Sequence, residues 1–274
     1  MIEILRPDLV RGEFRAVLFD FDGTLSLIRR NWPSVMIPMM VDALAATGTA
    51  ETREQLHAHV EDYVMRLNGR QTIYQMMQLA DEVRARGGQP LDPVAYKHQY
   101  HGLLWRQIEG RVNGLKDGSI DPDELTVPGS RSLLERLSAL GLPLYLASGT
   151  DVAFVRDELA ALRLEHFFGE HVYGALDKYQ DFSKAMIIQR IIADTNLAGH
   201  QLLGFGDGFV EIEELRRAGA AAIGVASDED RREGVNEWKR KRLIAAGADV
   251  IIGDYRCQDE LFQELGLTPA ARSS

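Results

Sequence analysis

The chain predicts an α/β protein, a doubly wound parallel sheet carrying an inserted helical segment. Three observations predict it. From Ala16 onward, short apolar runs of strand length end in polar turns that lead into helical patterns, and this alternation builds a parallel sheet with helices on both faces. The polar clusters fall at the ends of those runs, where ligands of such sheets bind. Between Ser26 and Thr126 the strand pattern stops, and apolar residues recur at helical spacing instead.

The first run, Ala16-Val17-Leu18-Phe19, has the length and composition of a buried parallel strand. It ends in Asp20-Phe21-Asp22-Gly23-Thr24. Two carboxylates at the end of a buried strand are costly unless something offsets their charge. A divalent cation is the simplest partner, and it leaves one carboxylate placed to act on a substrate phosphate. Gly23 lets the chain turn tightly. A strand followed by an acidic turn is also common with no such role.

The segment 26–126 shows Val35, Met39, Met40 and Leu44, then Leu56, Val60, Val64 and Leu67, then Ile73, Met76, Met77, Leu79 and Val83 at helical spacing. Breaks at Gly48, Asn68-Gly69, Gly87-Gly88 and Pro90 divide it into about four to six helices. Its methionines, with Trp32 and Trp105, are expected in the core. Alternation resumes at Val127-Pro128-Gly129. Helices are expected over 130–140, 151–162, 183–193, 212–218 and 233–246, and strands over 142–147, 172–174, 201–205, 221–225 and 250–252. The domains are therefore 1–25 with 127–274, and 26–126.

A chain of 274 residues buries a sizeable core, and 45% hydrophobic with 26% charged residues is ordinary for a globular protein. A net charge of -10 argues against nucleic acid or an anionic membrane as the main partner. An anionic substrate is still compatible, since a metal and a few cations can dominate a pocket. The single cysteine, Cys257, rules out an internal disulfide and fits a reducing compartment. With no bilayer-length apolar run and no signal-peptide opening, the expected location is the cytoplasm.

DFDGTL after an apolar strand resembles the first motif of the haloacid dehalogenase superfamily of phosphotransferases, and three further motifs follow in order. The strand ending in Ser148-Gly149-Thr150 is similar to the second. There a hydroxyl and the N–H groups of Gly149 and Thr150 would bind phosphoryl oxygens, although these residues also suit a helix cap. The third motif is a lysine. Lys178 sits where many relatives carry Lys-Pro, but Tyr179 follows it here. Lys184 heads the helix leading to the fourth motif, and it is taken as the match. That fourth motif resembles Gly206-Asp207-Gly208-Phe209-Val210-Glu211, with Glu211 where relatives more often have Asp.

The resemblance implies a Rossmann-like core with a helical cap inserted after the first motif. It also implies the chemistry of a phosphatase. Asp20 would be the nucleophile, forming an aspartyl-phosphate, and Asp22 the general acid and base. Ser148 and Lys184 would hold the phosphoryl group, and Mg²⁺ would be bound by Asp20, the Asp22 carbonyl, Asp207 and Glu211. Asp22 separates this chain from the superfamily's dehalogenases, which lack it, and from its P-type ATPases, which carry Thr there. In the cap, Asn68-Gly69-Arg70-Gln71-Thr72-Ile73 resembles a segment of β-phosphoglucomutase-like proteins in which an arginine meets substrate phosphate. Arg70 is accordingly expected to touch substrate, and Arg29, Arg30 and Trp32 follow the first motif closely enough to line the entrance, where Arg29 is expected to bind substrate. A closing cap favours a small phosphorylated metabolite, such as a sugar phosphate, over a polymer. A phosphomutase and a non-catalytic binding protein are the alternatives.

Overall fold

The computed structural model describes residues 2–176 and 178–267. Seven strands form one sheet: β1 (Ile2–Ile4), β2 (Ala16–Phe19), β3 (Leu144–Asp151), β4 (Val172–Ala175), β5 (Leu202–Gly206), β6 (Ala221–Val225) and β7 (Val250–Ile252). The order is β1-β7-β6-β5-β2-β3-β4. All neighbours are parallel except β1, which pairs antiparallel with β7 at the edge. The three-residue edge strand was not expected, because Ile2-Glu3-Ile4 is too short to show a period.

The parallel strands are nearly continuous apolar runs because helices cover both faces. β2, β5, β6 and β7 are buried along their whole length. Chain order reverses between β2 and β5, which makes their carboxyl ends the switch point of the sheet. Phe19 and Phe205 are register partners there and stack at 4.8 Å between ring centroids, fixing the two strand ends side by side.

The helices are α1 (Pro33–Ala45), α2 (Arg53–Arg66), α3 (Thr72–Ala85), α4 (Pro93–Asp117), α5 (Ser130–Ala139), α6 (Val152–Ala161), α7 (Glu165–Phe168), α8 (Lys184–Thr195), α9 (Phe209–Arg217), α10 (Glu237–Ala246) and α11 (Gln258–Leu265). The described residues form two compact units, one within 1–30 and 114–274 and the other 31–113. The second unit is narrower than the expected insertion, 26–126. Its flanks belong to the first unit, where Leu27 N–H donates to Leu125 O at 2.8 Å and Val127 N–H to Leu25 O at 3.0 Å. Residues 268–274 of the expected core lie outside the described residues.

The 31–113 unit is helical throughout and buries Met36, Met39, Met40 and Met76 as expected. Arg86 ties it together by reaching Glu51 at 2.6 Å and Glu82 at 2.7 Å. Trp105 departs from expectation: it is 42% exposed, on the outer face of α4. No described helix is long and apolar enough to cross a membrane.

Candidate active site

Asp20 is the first residue beyond β2, and its N–H donates to Phe205 O at 2.9 Å, so the end of β5 fixes its backbone. Its side chain is buried, with Oδ1 2.8 Å from Lys184 Nζ. Lys184 opens α8, where Ser183 caps the helix by accepting from Met186 N–H. That cap points a lysine stem inward from the first helical turn. The same Nζ donates to Glu211 Oε2 at 3.0 Å. A buried ammonium is tolerable only when paired, and burial opposes its charge. The carboxylates of Asp20 and Glu211 outweigh that penalty and hold the Lys184 pKa above its ordinary value.

Glu211 has a second bond. Its Oε1 accepts from Gly208 N–H at 2.6 Å, so the N3 side chain closes the amino end of α9 while the glycine N-cap has no side chain to return the bond. Burial works against its charge too, but Lys184 and the backbone donors win, and its pKa lies below the usual carboxylate range. Both oxygens are thus engaged by the protein itself. Asp207, one residue past β5, has no such surplus of donors. Burial raises its pKa to about 6, against the pull of Lys239 and with Glu211 and Glu229 adding to the rise. Asp20 is likewise raised, first by burial and then by Glu211 and Asp207, with Lys184 opposing.

Asp20, Asp207 and Glu211 offer carboxylate oxygens that all lie within 4.8 Å of one another. Hard oxygen donors converging at this spacing suit Mg²⁺ or Ca²⁺. Gly23, at φ +75°, lets the loop pass so close that a Cβ there would stand 2.1 Å from Asp207 Oδ2. The residues present therefore fit a divalent cation, whose charge would offset the burial, and the lesser mutual repulsion, that lift Asp20 and Asp207.

Asp22 faces a different set of partners. Thr150 Oγ1–H donates to its Oδ2 at 2.9 Å, while its Oδ1 is buried without a hydrogen-bond partner among the described residues. Arg29 Nε lies 3.8 Å from that oxygen. Burial raises the Asp22 pKa, and Arg29 and Thr150 oppose it. A carboxyl held above its ordinary value suits a group that must first donate a proton.

Arg29 is buried, and its guanidinium forks onto Glu158, Nε to Oε1 at 2.9 Å and Nη2 to Oε1 at 2.6 Å. It stands beside Asp22, and the buried Glu158 carboxylate takes its fork. Thr150 N–H was expected to bind phosphoryl oxygens but donates to Ser148 Oγ at 3.1 Å. Thr150 therefore supports Asp22. Ser148 is no helix cap: it lies inside β3, which runs on to Asp151, and Asp151 is the N-cap of α6. Gly149 is half-buried in the same strand. Lys178 is exposed and precedes a short 3-10 turn, so Lys184 alone of the two lysines reaches Asp20. Arg70 belongs to the other unit, exposed, with its guanidinium 5.9 Å from the Tyr74 ring centroid.

Two further residues were missed from sequence. Glu158, on α6, is buried behind Arg29. Lys239, on α10, reaches Asp207 Oδ2 at 2.7 Å and Glu229 Oε1 at 2.6 Å. Nothing local marks them, since Glu158 is 129 residues from Arg29 and Lys239 sits in a basic run, WKRKR, that reads as a solvated face.

A parallel sheet with a helical insertion and a carboxylate–lysine cluster at its switch point defines a class of hydrolytic enzymes built on an aspartate-bearing loop. The chain belongs to the haloacid dehalogenase-like hydrolase family, whose model matches residues 14–219. None of the curated proteins matches it. Among solved structures, it is similar to a predicted phosphoglycolate phosphatase from Haemophilus somnus 129PT, at TM-score 0.60 and 18% identity over 92% of this chain and 99% of that one. A HAD family hydrolase from Deinococcus radiodurans R1, solved with bound phosphate and sodium, aligns at TM-score 0.55 and 18% identity, covering 94% and 99%. A Bacteroides vulgatus protein provisionally assigned as a β-phosphoglucomutase aligns at TM-score 0.58 and 14% identity, covering 94% and 91%.

Proposed function

We propose that the protein is a Mg²⁺-dependent phosphatase of a small phosphorylated metabolite, acting through an aspartyl-phosphate on Asp20. The observation that carries this reading is the buried cluster at the switch point, where Lys184 bridges Asp20 and Glu211 with Asp207 alongside. Phosphoryl transfer demands positioning and charge neutralisation more than elaborate covalent chemistry, and the cluster supplies both.

Asp20 attacks phosphorus, and the ester oxygen leaves as an alcohol with a proton from Asp22. Asp22 then takes a proton from the water that attacks the aspartyl-phosphate, releasing inorganic phosphate and restoring both carboxyl groups. Thr150 orients Asp22 through its hydroxyl, and Arg29, itself held by Glu158, keeps a positive charge near the carboxylate. Lys184 favours the ionised form of Asp20 and balances charge on the phosphoryl oxygens, aided by the Ser148 hydroxyl. Asp20, Asp207 and the Asp22 carbonyl would hold the Mg²⁺, with Glu211, whose oxygens are already engaged, reaching it through water. When bound, the cation neutralises phosphoryl charge.

Residues 31–113 would act as the cap that selects substrate, with Arg70 as its phosphate-facing residue. A screen of phosphorylated metabolites, with Mg²⁺ and with chelator, tests the reading. Release of inorganic phosphate from at least one small ester, abolished by chelator and by Asp20→Asn, is expected. Wild-type-like release by a folded Asp20→Asn variant contradicts it. Transfer to a second hydroxyl of the same substrate, with no free phosphate, would indicate a mutase instead.

A further inference from the structure

Asp207 is tied to a buried lysine that the mechanism above leaves unused. Lys239 lies in the first turn of α10, where the Asn236 side chain accepts from the N–H groups of Trp238 and Lys239 at 3.1 and 3.0 Å. The cap fixes where the lysine stem starts. Its Nζ donates to Asp207 Oδ2 at 2.7 Å and Glu229 Oε1 at 2.6 Å, and lies 3.4 Å from Ser227 Oγ. Ser227 in turn donates to the Gly23 carbonyl at 2.8 Å. A Cβ on Gly23 would meet both Asp207 Oδ2 and Glu229 Oε1, at 2.1 and 3.1 Å. The loop bearing the nucleophile, the fourth-motif aspartate and the segment after β6 thus converge on this one ammonium.

A buried lysine between two carboxylates is ordinarily a fixed ion pair. Here the two carboxylates differ. Asp207 belongs to the group of converging oxygens that fits a metal, and Glu229 does not. A divalent cation approaching Asp207 therefore meets an ammonium already bonded to the same residue, and like charges a few ångströms apart repel strongly in a buried site. Glu229 offers that ammonium a second anchor, at 2.6 Å against 2.7 Å for Asp207.

On the metal-site reading above, we infer that Lys239 is a built-in competitor for the divalent cation. It holds Asp207 while the metal is away. It yields that bond, keeping Glu229, when the metal arrives. The arrangement makes the metal-free site tolerable and weakens metal binding in return.

Calorimetric titration of Mg²⁺ into the full chain tests this, alongside thermal melting without metal. Lys239→Met should bind Mg²⁺ about tenfold tighter or more, melt at a lower temperature than wild type without metal, and recover most of the loss with Mg²⁺. The double variant Lys239→Met with Glu229→Gln has the wild-type net charge. It should still bind Mg²⁺ more tightly than wild type, because Asp207 has lost its rival. Wild-type affinity in the double variant would show an effect of overall field only, and would overturn direct competition. Unchanged or weaker binding by Lys239→Met would also overturn it, making the lysine a prop for Asp207. Should Lys239→Met not fold, Lys239→Gln carries the same comparison. If the wild type itself binds no Mg²⁺, the metal site and the proposed function fail together, a result distinct from the others.

Discussion

Lys184 shows how a single residue can be read from sequence only up to a choice. Two lysines competed for one role, and Lys184 was preferred because it heads the helix leading to the fourth motif. Their burial differs. Lys184 sits between Asp20 and Glu211, whereas Lys178 is exposed. Truncating Lys184 removes the charge that opposes the rise of Asp20 and leaves Glu211 without its partner. Lys184→Met should lower kcat by two orders of magnitude or more, at roughly 1.4 kcal/mol per tenfold change. Lys178→Ala should change kcat less than about twofold, as expected of a solvated lysine. Steady-state kinetics on any accepted ester decide it, and equal losses in the two variants would contradict the assignment.

At the scale of elements, the site is made by two strand ends and two helix starts. β2 and β5 deliver Asp20 and Asp207, and the first turns of α8 and α9 deliver Lys184 and Glu211. Glu211 has two separable jobs, capping α9 through Gly208 and pairing with Lys184. Glu211→Gln keeps an acceptor for the cap but loses the charge, so kcat should fall about tenfold or more while the melting temperature stays near wild type. Glu211→Ala loses both, and a lost cap costs about 1 kcal/mol. Melting curves and kcat measured on both variants separate the jobs, and a Gln variant with unaltered kcat would leave Glu211 only the cap.

These same elements mark what sequence can disclose. β2, β6 and β7 were legible residue for residue, because a buried parallel strand writes itself as an unbroken apolar run. The partners behind the site were not. Arg29 looked like an entrance residue because only its nearness to Asp20 in the chain was visible, while Glu158 comes from α6. Lys239 was hidden for the same reason, its meaning lying in Asp207 and Glu229 on other elements. β1 escaped because three residues carry no period, and Trp105 was misjudged because an isolated aromatic says nothing of its helix face.

For the whole molecule, chemistry and selection are expected to reside in different units. The core holds every residue assigned to phosphoryl transfer, and Arg70 lies in the unit 31–113. Arg70→Ala should reduce kcat/KM for the preferred metabolite by about ten- to more than a hundredfold, matching roughly 1.5–3 kcal/mol for a desolvated charge-assisted contact. Hydrolysis of p-nitrophenyl phosphate, which needs only the core, should change little. Equal losses on both substrates would place Arg70 in support of the fold, and no loss on either would leave it a solvated side chain.

The central claim is that Asp20 becomes covalently phosphorylated during turnover. Acid quenching of the Mg²⁺-loaded enzyme within a single turnover of p-nitrophenyl phosphate, followed by peptide mass mapping, tests it most directly. The account predicts one phosphoryl group on the peptide containing Asp20, absent in Asp20→Asn and accumulating in Asp22→Asn reacted with the same activated ester, whose nitrophenolate leaves without needing a proton. Phosphate release at wild-type rates by the folded Asp20→Asn variant, or phosphorylation mapped to any other residue, would contradict it.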